Sequence, residues 1–134
     1  MATTRTINAA ALRAALLPVL DWLDGTADQP PRPVLATAVR TSLRAFAQAF
    51  PGKAVEVRVP PFAAVQCLPG GAHTRGTPPH VVQTDPRHWL ALATGRLDWA
   101  TAVREAAVDA SGHRAEEVGA LLPLGIASQL RDSE

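Results

Sequence analysis

Cysteine, lysine and aromatic residues are scarce in this chain, and each shortage excludes something. There is a single cysteine, Cys67, so no internal disulfide can form and the chain fits a reducing compartment. One cysteine also cannot build a structural zinc site. The four histidines (His73, His80, His88, His113) do not pair at the spacing of a metalloprotease helix, so no metal and no cofactor is expected. Tyrosine is missing, and tryptophan and phenylalanine number three each. Neither charge prevails: 13 basic against 12 acidic residues leave a formal net charge of +1, and that offers no attraction for nucleic acid or an anionic membrane. No run reaches the roughly 18 apolar residues of a membrane span. The N-terminal stretch MATTRTINAAALRAALLPVL is broken by Asn8 and Arg13 and lacks the basic start and compact apolar core of a secretory signal. A soluble cytoplasmic protein without membrane insertion is expected. Nucleophile machinery is missing too. Ser111-Gly112-His113 has no nucleophile-elbow pattern, and Cys67 inside a strand reads as a small buried hydrophobe, so no enzyme is expected.

What the chain does have is apolar periodicity. Its 134 residues suit one domain, with residues 1–32 as an N-terminal helix and Pro-rich linker and residues 33–134 as the core. Leu12, Leu16, Leu20 and Leu23 share one face of a helix over Ile7–Leu23, with Asn8 as N-cap and a break near Leu17 imposed by Pro18. A second helix from Pro33 carries Leu35, Val39, Ser42/Leu43, Phe46 and Phe50 on one side, with Arg40, Arg44 and Gln48 elsewhere. Its arginines have no interleaved aromatics, so they read as a solvated face and not as a nucleic-acid groove. The period then changes to two. Val55, Val57 and Val59 alternate with Glu56 and Arg58, and Phe62–Leu68 follows closely enough for an antiparallel pair. Further strands are expected at Val81–Thr84 and Ala107–Ser111.

The stretch from His80 to Leu124 organises the rest. Asp85-Pro86 and Asp98 are helix starts, Gly95 is a stop, and another helix follows Gly112. Two helices, then strands, then helices with one more strand indicate an α+β fold, an antiparallel sheet covered by helices on one face.

VEVRVPPFAAVQ, HTRGTPPHVV, TDPRHWLALATGRLDWATAV and ASGHRAEEVGALLPL together resemble the bacterial branch of the sterol carrier protein family. The resemblance covers Pro51–Leu124 well and residues 1–32 poorly. Where many members have an aspartate after Ser-Gly, this chain has His113. The resemblance implies a mostly antiparallel twisted sheet of about five strands, preceded here by two N-terminal helices. It also implies an apolar tunnel between sheet and helices for sterols, fatty acids or acyl chains, and no fixed catalytic residues.

The candidate wall of such a cavity is Phe62, Val65, Cys67, Trp89, Leu92 and Leu97, with Trp99, Val103, Leu121, Leu122 and Ile126. The alternative is that these side chains fill a solid core. In the loop HTRGTPP, His73, Arg75 and Thr77 are candidates for a polar headgroup site, because an arginine fork can hold two oxygens. Alternatively Arg75 pairs with Glu56 or Asp85. Two functions remain open: binding or transfer of an apolar small molecule such as a fatty acid or sterol, or an interaction module that forms a homodimer or docks a partner through residues 1–50.

Overall fold

The computed structural model describes residues 6–70 and 80–131. Helix α1, Ala9–Leu16, starts where the Asn8 side chain accepts the Ala11 N–H at 2.7 Å, the expected N-cap. The apolar stripe over Ile7–Leu23 is split where Pro18 lacks the N–H an α-helix needs. Leu17–Val19 form a 3-10 turn, and α2 resumes at Leu20–Leu23. Helix α3, Arg32–Ala49, buries Leu35, Val39, Leu43 and Phe46 on one face, and α1 packs against it. Gln48 of α3 ties the two together: its Oε1 accepts the Ile7 N–H at 2.8 Å and its Nε2 donates to the Ile7 carbonyl at 3.0 Å.

Strands β1 (Val55–Val59) and β2 (Ala63–Cys67) form the expected antiparallel hairpin, with Val57 opposite Val65. Strand β3 (His80–Thr84) lies on the other side of β1 and runs parallel to it, Val57 facing Val82. Strand β4 (Val108–Ser111) closes antiparallel on β3. The order β2-β1-β3-β4 makes a mixed sheet of four strands among the described residues. This corrects the expected count of about five. The expectation of a mostly antiparallel sheet omitted the central parallel pairing, because strand spacing marks hairpins but does not say which edge a later strand joins. Of the two expected N-terminal helices, the first is divided at the expected break into α1, a 3-10 turn and α2, and the second is α3. The α+β class holds.

Alternation along the strands makes the sheet one-sided. Val55, Val57, Val59, Cys67, Val82 and Thr84 are buried on the helix side, while Arg58, Gln66, Gln83 and Asp109 are exposed on the other. One close approach fixes the join between α3 and the sheet. Gly52 has φ +149, and a Cβ there would overlap the Leu68 carbonyl. Leu68 in turn donates to the Phe50 carbonyl at 2.8 Å and accepts from Ala54 at 3.1 Å.

Helix α4, Pro86–Ala93, is capped by Asp85, which accepts the His88 N–H at 2.9 Å. It lays Trp89 and Leu90 against α3. The indole N–H of Trp89 donates to Ser42 Oγ at 2.8 Å, and Ser42 Oγ donates to the Ala38 carbonyl at 2.7 Å. Trp89 also meets Phe46 edge-on, with centroids 5.9 Å apart. These side chains are buried between α4 and α3. Helices α5 (Trp99–Arg104), α6 (Ala115–Ala120) and α7 (Ala127–Arg131) complete the chain. Among the described residues, no helix is long and apolar enough to cross a membrane.

Candidate functional site: a groove beyond the end of helix α4

Past α4 the chain turns sharply. Gly95 takes φ +81, a conformation a side chain disfavours. The Arg96 and Leu97 N–H groups both return to the Ala91 carbonyl, at 2.8 and 3.2 Å. Arg96 anchors this turn to the end of α2 through two bonds to Asp24, at 2.6 and 3.1 Å. Those bonds hold the Asp24 carboxyl below its ordinary value. Asp98 then caps α5 by accepting the Thr101 N–H at 2.8 Å, and this bond keeps its own carboxyl ionised to lower pH than usual.

The cap aims Trp99 across α6. Gly119 makes room for it: a Cβ at that position would overlap the indole ring. The indole N–H is not left bare, since it donates to Glu116 Oε1 at 2.7 Å. Beyond α6 the chain returns to α4, where the Leu124 N–H donates to the Ala93 carbonyl at 3.0 Å. These three constraints enclose a groove of about 590 Å³. Leu97, Trp99, Leu122, Pro123, Leu124 and Ala127 supply its apolar surface, and Asp98 and Ser128 its polar side chains.

Three of the eleven candidate wall residues meet at this groove: Leu97, Trp99 and Leu122. Phe62, Cys67, Trp89, Leu92 and Ile126 are buried. Val65 and Leu121 are half-buried against the core, and Val103 is 40% exposed. His73, Arg75 and Thr77 lie outside the described residues. Glu56 pairs with Arg58 and Asp85 with His88, and a pairing of either acid with Arg75 likewise lies outside the described residues. Burial pushes the Cys67 thiol up to about 11, so it is not a thiolate at neutral pH. Among the described residues, no group of three or more His, Cys, Asp or Glu side chains converges on a point where a metal would sit.

The sequence reading missed Gly119, Pro123, Leu124, Ala127 and Ser128. A glycine inside an apolar helix is the available signal for Gly119, since it marks a close approach of another group. Leu124 to Ser128 carry no such signal, because a proline-interrupted apolar tail does not reveal which helix it returns to.

Residues 31–124 match the family model described as bacterial SCP ortholog, SCP denoting sterol carrier protein. The match begins one residue before α3 and ends at Leu124, so it takes in most of the groove and leaves α1, α2 and α7 outside. No curated protein matches the chain.

Proposed function

The chain belongs to the bacterial sterol carrier protein family, and from that premise we propose that it binds the apolar part of a lipid, a sterol or an acyl chain, as a carrier and not as a catalyst. The observation that carries this reading is the groove of about 590 Å³ between Trp99, Leu122 and Leu124. Its volume lies within the range of roughly 300–1,000 Å³ typical of small-molecule sites. Removing apolar ligand surface from water there contributes roughly 25 cal/mol per Å², and that must exceed the loss of ligand freedom on binding.

Titration of the full chain with a fluorescent sterol and a fluorescent fatty acid tests the reading. Saturable binding of either is expected. Gly119→Ala, which drives the indole of Trp99 from its seat, should weaken that binding about tenfold or more and shift the tryptophan emission. Absence of saturable binding by both probes ends the carrier reading.

A second reading rests on a different observation. Trp89 and Phe46 pack edge-on between α4 and α3, and with Leu43 they are buried. That packing favours an interaction module. Ala14, Ala15, Pro18, Pro33 and Val34 line a shallow depression of about 280 Å³ between α1 and α3, and Leu17 nearby is 40% exposed. Sedimentation equilibrium separates the two readings: a concentration-dependent dimer that Leu17→Glu abolishes supports the module.

A further inference from the structure

Another pocket, of about 330 Å³, lies at the opposite end of α4 from the groove. An eight-residue helix spans roughly 12 Å, so the two are separate. This pocket forms where the first turns of α3 and α4 meet α2 and the β1–β2 turn. Two guanidinium groups stand in its wall. Arg32 lies over the Phe62 ring, 5.1 Å from its centroid, and Arg87 over the Trp22 ring at 4.9 Å. Both rings are buried, at 9% and 8% exposure. Arg87 also donates to the Trp22 carbonyl at 3.2 Å. The guanidiniums are therefore held against aromatic surfaces, with donors and their outer faces left for another group.

Charge in the pocket is unbalanced. Among the described residues, neither arginine pairs with a carboxylate. The pocket's acid, Asp85, is committed to the His88 N–H at 2.9 Å and the His88 ring at 2.6 Å. Helix α3 starts at Arg32 after Pro31, which offers no side-chain cap, and has no acid in its first turn, so the positive end of an 18-residue helix adds to the same potential. Leu35 supplies apolar surface beside these charges.

We propose that this pocket is a binding site for an aromatic oxyanion, an aryl carboxylate or aryl phosphate. Arg32 and Arg87 hold its oxygens and flat ring, and Leu35 and Phe62 shield it from water. Two arginines without carboxylate partners suit an oxyanion that accepts hydrogen bonds from both.

The full chain is titrated with 1-naphthoate, 1-naphthyl phosphate, 2-naphthol and inorganic phosphate. Affinity is followed calorimetrically, and the side-chain signals of Arg32, Arg87 and Trp22 are followed by NMR. At least one naphthyl anion should bind about tenfold or more tightly than uncharged 2-naphthol and shift all three signals. The tighter of the two anions assigns carboxylate or phosphate. The double substitution Arg32→Gln, Arg87→Gln should weaken it about tenfold or more while leaving sterol binding at the groove unchanged. Equal binding of 2-naphthol, equal binding of inorganic phosphate, unshifted signals in the unaltered chain, or an unaffected double variant would each overturn the assignment.

Discussion

Trp89 and Trp99 show how much a single residue's neighbours decide. Both open apolar stretches of short helices, and both have an indole N–H that needs a partner. Trp89 finds Ser42 in the core, whereas Trp99 finds Glu116 at the surface. The first is packing and the second is a wall. Ser42→Ala leaves the buried Trp89 N–H without an acceptor and should cost about 1–3 kcal/mol in urea unfolding. Combining it with Trp89→Phe should cost less than the sum of the two single changes, because the second removes the orphaned donor. Additive losses would mean that the bond contributes nothing.

At the scale of elements, the helix starts were legible because each is a local hydrogen bond. Asn8, Asp85 and Asp98 all cap the helices that their positions predict. Asn8→Ala should cost about 1 kcal/mol, read as a lower urea midpoint with an unchanged slope. The pinning of α1 by Gln48 was not legible, since it joins Ile7 to a residue 41 positions away. Gln48→Ala should raise hydrogen-exchange rates in α1 while leaving the amides of β1 and β3 protected. Equal acceleration in both would show that α1 and the sheet open as one unit. The hairpin of β1 and β2 was legible from the short Pro60–Phe62 connection. The parallel partnership of β1 with β3 was not, because both edges of β1 present the same alternation.

For the whole molecule, acid is the relevant stress. His80 is buried, with its ring edge-on to His113 at 4.7 Å and its Nδ1 accepting the Arg114 N–H at 3.4 Å. Arg114 also donates to the Pro69 carbonyl at 2.8 Å and pairs with Glu117. Burial, then His113 and Arg114, hold His80 below its ordinary value of 6.5, with Glu117 opposing. The unfolded chain therefore takes up a proton near pH 6.5 that the folded chain refuses, so stability falls as pH drops through that value. Asp24, Asp85, Asp98 and Glu117 have lowered values. Their contribution is present above the unfolded carboxylate range and is lost as pH falls through it toward the folded values. The thermal midpoint should be level near pH 7–8, decline below about 6.5 and drop further below about 4.5. His80→Gln should remove the first decline alone. A profile level down to pH 5 in the unaltered chain would contradict this.

By itself the sequence determined the kinds of element, their caps, the first hairpin and the one-sidedness of the strands. Each of these depends on a period of 2 or 3.6 residues or on a hydrogen bond to a near neighbour. The tertiary structure alone decided the place of β3 beside β1, the burial of Trp89 against α3, and the opening of the groove at Trp99. Those outcomes rest on meetings between distant residues, Ser42 with Trp89, Gly119 with Trp99 and Ala93 with Leu124. No local pattern encodes which distant surface a side chain will meet.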